Sequence, residues 1–240
     1  MIKALKALSA LLTYPTPELQ QAAGEISEAI ENEPAFSNAV RDQLHALLTE
    51  LAGGDIYDLQ ERYVLLFDRT RSLSLHLFEH VHGESRDRGQ AMVDLKAQYE
   101  KAGLEVDSTE LPDFLPLFLE YVSTLPAEEA RDALAQPAHI FAAMAERLRK
   151  RRSSYEAVLR ALVMLSATKP KQDDVSALLA LPDPDASDLA ALDAAWEDEE
   201  VRFGPGASDG CKDGLIARVR GGLRPAPDMP PASRNITPRH

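Results

Sequence analysis

From residue 1 to about residue 168, apolar side chains recur at the three- and four-residue spacing of a helix face, and capping residues, glycine or proline close each run. That spacing argues against sheets, whose buried faces repeat every second residue. Leu5, Leu8 and Leu12 form one stripe that stops before Pro15. Thr16 then offers an N-cap with Pro17 at the first helical position, where a missing N–H leaves nothing unpaired. Phe36, Val40, Leu44, Leu47, Leu48 and Leu51 mark the next face, closed by Gly53. Asp55 caps a helix carrying Ile56, Leu59, Tyr63, Leu66 and Phe67. Further helices are expected from about Ser85, with Met92, Leu95 and Tyr99 on one face, and from near Pro112. Three more are expected over Ala127 to Gln136, Pro137 to Lys150 and Ser153 to Thr168. Only 6% of residues are aromatic and β-branched residues are sparse, so the expected class is all-α.

Beyond Lys169 the periodicity fades, and nine of the 16 prolines fall in the last 72 residues. The expected organisation is one helical domain over residues 1–168 and a largely irregular, partly disordered tail over 169–240. A weak acidic helix from Leu178 to Trp196 is the tail's one expected element. Charge divides the same way: Asp173 to Val201 holds ten acidic residues and no Lys or Arg, and Arg202 to His240 is basic and rich in proline and glycine.

The net charge of -13 argues against nucleic acid, whose phosphates need Lys and Arg, and favours a basic partner. The exception is Arg147, Arg149, Lys150, Arg151 and Arg152, which read as a solvated helix end favoured by the C-terminal dipole. No apolar run is long enough to span a bilayer. The opening MIKALKALSALLTYP resembles a signal peptide, but Lys6 and Ser9 break its apolar stretch, so it is read as a first helix. The lone Cys211 forms no internal disulfide, which suits a reducing cytoplasm. Phosphate loops and nucleophile elbows are absent as motifs.

The helical pattern breaks after Phe67. Asp68, Arg69, Thr70, Arg71 and Ser72 are polar, Ser72 to Leu77 alternates with period two, and a short helical turn follows. Here His76, Glu79 and His80 spell H-x-x-E-H, the pattern in which two histidines four apart on a helix hold zinc and the glutamate acts as general base. A zinc peptidase is therefore one alternative. The other is that the histidines cap a polar turn, with no metal and no cofactor. Tyr63, Phe67, Leu77 and Phe78 flank the break, and Asp68, Glu79, Glu84 and Asp87 alternate with Arg69, Arg71, Arg86 and Arg88. An apolar floor rimmed by both charges suits an amphipathic basic helix.

The stretch LFDRTRSLSLHLFEHVHGESRDRGQAMVDL closely resembles the hallmark segment of the nitrate reductase delta subunit family, and the downstream DAAWEDEEVRFG is similar to that family's own continuation. The resemblance implies an all-helical domain of the redox-enzyme maturation chaperone type and no enzymatic activity. It implies binding to the N-terminal leader-like segment of the catalytic alpha subunit of respiratory nitrate reductase. The apo alpha–beta complex would be held competent for molybdenum cofactor insertion before membrane attachment, and the chaperone would not stay in the finished enzyme. By the same resemblance the peptide site maps to Tyr63, Leu66, Phe67, Asp68, Arg71, Leu77, Phe78, Glu79, His82, Glu84 and Asp87. Pro112 and Asp113 are similar to the Pro-Asp-His element of related reductase chaperones, but Phe114 stands where those carry histidine, so no role of that histidine transfers.

Overall fold

The structure, a computed structural model, describes residues 1–81, 86–105 and 110–183, with only the backbone described at 86 and 87. The chain divides into two units, Met1–Leu189 and Ala190–His240, and everything below concerns the first. Cys211, Trp196 and most of the expected acidic helix lie outside the described residues. Among those described there are eleven α-helices, one antiparallel bridge and no strand.

The expected N-terminal signals act as such. Helix α1 (Ile2–Leu11) ends ahead of Pro15, and α2 (Pro17–Gln21) is capped by Thr16, whose hydroxyl accepts the Leu19 amide. After α3 (Ala23–Glu31), Ser37 accepts the Val40 amide to cap α4 (Asn38–Gly53). Asp55 accepts the Tyr57 and Asp58 amides at the start of α5 (Ile56–Tyr63). The outer cap distances are 3.3–3.4 Å, but each satisfies an amide that a helix start leaves without a backbone partner.

Where the pattern breaks, α5 runs into a π turn over Val64–Asp68, then 3-10 turns at Arg71–Leu73 and Leu77–Glu79. The alternation over Ser72 to Leu77 does not separate an inner from an outer face, because Ser72, Leu73, Ser74 and Leu75 are all buried. The long polar helix α6 (Arg86–Lys101) follows, then α7 (Leu115–Thr124), with Pro116 in its first turn. The chain continues through α8 (Ala127–Ala135), α9 (Ala138–Lys150), α10 (Glu156–Leu165) and α11 (Gln172–Leu179).

The core sits where α1 crosses α7 and α10, and where α10 packs on α9 and α4. Leu5, Leu8, Leu119, Val122, Leu159 and Leu162 meet there with no exposed surface. Burying each such side chain contributes about 1.5–3 kcal/mol.

Helix α11 lies on α9 and buries Val175 and Leu178. One expectation is corrected: the basic run is not wholly solvated, because Arg147 is 2% exposed. Its guanidinium donates to the Ser72 carbonyl at 2.9 Å and the Leu178 carbonyl at 2.7 Å, while Arg151 holds Asp183 at 2.7 and 2.8 Å. A helix-end charge run gives no sign that one member turns inward, since the residues it meets lie 75 and 31 positions away.

Candidate functional site

Asp113, with no exposed surface, organises the break. Its carboxylate accepts the Phe78 amide at 3.1 Å and faces His76 Nδ1 at 3.3 Å; its carbonyl accepts the Leu77 amide at 3.0 Å. Two residues on, the Leu115 amide donates to the Leu75 carbonyl at 2.8 Å, completing the bridge between His76 and Phe114. The His76 ring lies 5.5 Å from the Phe114 ring. Two segments 37 residues apart are thereby clamped, with Leu77 buried at the core and Phe78 half-buried beside it. Sequence reading passed over Asp113 as a member of the site. The signal was a carboxylate directly ahead of an apolar helix, a place where an acidic side chain usually serves backbone amides.

The H-x-x-E-H residues do not form a zinc-peptidase face. Their turn is a three-residue 3-10 helix, on which positions four apart do not stack as they do on an α-helix. The two rings go separate ways: His76 to Asp113, and His80 Nε2 to the Ser74 carbonyl at 2.8 Å. The hydrogen bond to Asp113 raises the His76 pKa above its ordinary value, while burial lowers that of His80. Accepting the bond at Ser74 requires His80 to carry its proton on Nε2.

Beside this clamp lies a groove of about 460 Å³. Leu77, Phe78 and Val81 form one wall, Phe118 and Tyr121 of α7 the floor, and Ala133, Gln136, His139 and Ile140 of α8 and α9 the far wall. Helix α6 lines the fourth side with Ala91, Asp94, Leu95 and Gln98. The lining is mostly apolar, with a few polar groups at its edges, as ligand grooves commonly are.

The sequence candidates divide between core and surface. Leu77 and Phe78 line the groove, and Glu79, beside them, faces Arg88 at 3.8 Å. Tyr63 and Phe67 instead belong to the core, each 4% exposed. Tyr63 donates to the Leu12 carbonyl at 2.9 Å, and the Phe67 ring sits 5.0 Å from Tyr63 and 5.1 Å from Tyr155. Leu66 is half-buried, and Asp68 and Arg71 are exposed on the break itself. His82 and Glu84 lie outside the described residues, and Asp87 is described only as α6 backbone. The groove residues that sequence reading missed come from α6, α7, α8 and α9, with Val81 from the break. Their apolar positions were legible as helix faces, but not as faces turned toward one another.

Among the described residues, no helix is long and apolar enough to cross a membrane. The family model described as nitrate reductase delta subunit matches residues 33–160. The nitrate reductase molybdenum cofactor assembly chaperone NarJ of Escherichia coli K12 is 47% identical over 212 residues, covering 87% of each chain. The probable assembly chaperone NarW of the same organism is 41% identical over 199 residues, 83% of each chain. The probable NarJ of Bacillus subtilis is 31% identical over 157 residues, 65% of this chain and 84% of its own.

Proposed function

The chain belongs to the nitrate reductase delta subunit family, and on that premise we propose that it is an assembly chaperone for a respiratory nitrate reductase. Its ligand is the N-terminal leader-like segment of the catalytic alpha subunit. By holding that segment, it keeps the apo alpha–beta complex competent for molybdenum cofactor insertion before membrane attachment, then leaves. It acts in the cytoplasm, without catalysis and without a cofactor of its own. The observation that carries this reading is the 47% identity to the Escherichia coli chaperone over 87% of both chains.

The groove supports a place for the segment. Leu77, Phe78, Phe118 and Ile140 offer an apolar surface of the kind that takes one face of an amphipathic helix, and Glu79 stands beside it for a basic residue. Tyr63 and Phe67 support this surface from the core and do not contact the ligand. Leu66, Asp68 and Arg71 are assigned to outer contacts of the segment, and His82, Glu84 and Asp87 are further candidate contacts.

Calorimetric titration with the alpha subunit's N-terminal peptide tests both function and place. Phe78→Ala should weaken binding by about 2 kcal/mol, roughly thirty-fold, the scale of an interface anchor. Glu79→Gln should cost less, and its effect should shrink as salt rises. Absence of measurable binding to the unaltered protein would sink the function. Binding that ignores Phe78→Ala would move the site elsewhere.

A further inference from the structure

Helix α6 is poorly held for its length. Of its described side chains only Tyr99 is fully buried, whereas α7 buries six residues and α9 eight. Among the described residues its attachments are Tyr99 donating to the Pro112 carbonyl at 2.7 Å, the Tyr99 and Tyr121 rings 4.8 Å apart, the Tyr121 hydroxyl donating to Gln98 Oε1 at 3.5 Å, Leu95 packed against the core, and Arg88 reaching Glu79 at 3.8 Å. Val93 on its outer side is 61% exposed.

The stripe that α6 turns toward the groove has the chemistry of the ligand proposed above. Arg88, Ala91, Leu95 and Gln98 fall at the spacing of one helix face; the last three line the groove together with Asp94, and Arg88 brings a cation to Glu79. Small and apolar groups in the middle and a basic residue at the Glu79 end are what an amphipathic basic helix would present to the same wall.

We propose that α6 is an internal stand-in for the ligand: it fills one side of the groove in the free protein, and the basic amphipathic segment displaces it on binding. This rests on the leader-binding reading above. The charge complementarity is carried by Glu79, which exchanges Arg88 for a basic residue of the incoming segment. Because the competent state is only the fraction of molecules with α6 displaced, the apparent affinity is weaker than the intrinsic one by that fraction. The affinity of this chaperone is then set partly by contacts that never touch the ligand, Tyr99 first among them.

Thiol labelling of Leu95→Cys in a Cys211→Ser background tests the displacement, with the alpha subunit's N-terminal peptide as probe. Leu95 is half-buried in the free protein, so the thiol should react slowly, and saturating peptide should accelerate it several-fold. Peptide that binds but slows the labelling would show that α6 stays as a wall and would overturn the proposal. Tyr99→Phe gives an independent reading, because Tyr99 does not line the groove. Losing its hydrogen bond to Pro112 should tighten peptide binding by up to about five-fold, the equivalent of one ordinary hydrogen bond. Unchanged or weaker binding refutes the competition. A protein that binds no peptide at all, with or without these changes, fails at the earlier reading instead.

Discussion

Replacing Arg147 with methionine keeps much of the side-chain stem and removes the guanidinium that joins the break segment to α11. Two carbonyls, of Ser72 and Leu178, then lose a charged donor. Hydrogen bonds to charged groups contribute about 1.5–3 kcal/mol each, so their gross loss is about 3–6 kcal/mol. Two terms reduce it. Methionine needs no desolvation of a charge, and Asp183 keeps its two bonds to Arg151. A net cost of about 3 kcal/mol follows, which lowers the midpoint of thermal unfolding by roughly 6–12 °C for a unit of this size. Ending the chain after residue 168 removes the Leu178 carbonyl and Asp183 together and leaves the guanidinium buried against Ser72 alone. That truncation should therefore be destabilising in its own right. Arg147→Met should also cost less in the truncated chain than in the full one, a coupling measurable by a double-mutant cycle. Circular dichroism melts of the four proteins provide the assay. If Arg147→Met melts within about 2 °C of its parent, the guanidinium is not holding α11, and the attachment must rest on Val175, Leu178 and the Arg151–Asp183 pair.

Phe67→Ala should behave as a core truncation, lowering stability by about 3–5 kcal/mol in urea titration while the folded fraction keeps its affinity for the alpha-subunit peptide. Selective loss of affinity at unchanged stability would return Phe67 to the binding site. For the histidines, the sign follows from the direction of each shift. His76 is raised by its bond to Asp113, so its contribution is full below the unfolded value of 6.5 and is lost as pH rises through the folded value. His76→Gln should thus cost more stability at acidic than at alkaline pH. His80, lowered by burial, contributes above 6.5 and loses that contribution as pH falls, so the cost of His80→Gln should shrink toward acid. Melting curves of both variants across that range decide it. Arg152 sits at φ 54° and closes α9 with the Schellman pair of bonds, Ser153 N to Leu148 O and Arg152 N to Arg149 O. Arg152→Gly should stabilise by up to about 1 kcal/mol, and a lower melting point would show that the arginine side chain outweighs its backbone strain.

Local chemistry was legible in the sequence wherever a residue acts on its near neighbours. Thr16 and Asp55 cap as their types require, and the stripe of α4 matches its buried face. Tyr63 and Phe67 show the limit of that legibility. An aromatic beside a break in helical pattern reads equally well as groove or core, and only the positions of Leu12 and Tyr155 decide it. Asp113 and Arg147 show the same limit for polar groups. Both are buried and hydrogen-bonded to partners distant in sequence, so neither differs in type or spacing from a solvated neighbour. The groove inherits this difficulty, since its walls come from five elements that no single periodicity connects.

The placement of α1 has a consequence for how the chain is made. Its apolar face is covered by α3, α7 and α10, and the Ser9 hydroxyl bonds the Pro116 carbonyl, 107 residues later. A ten-residue helix does not persist in water without packing, so the shelter of this segment is incomplete until that later stretch has been synthesised. At about 5–20 residues per second, the delay is roughly 5–20 s. Throughout it, Leu5, Leu8, Leu11 and Leu12 are presented beside Lys3 and Lys6, a pattern that factors scanning nascent chains for apolar segments can read. A protein whose proposed work is to shelter a segment of another chain thus has an apolar segment of its own that needs sheltering during translation.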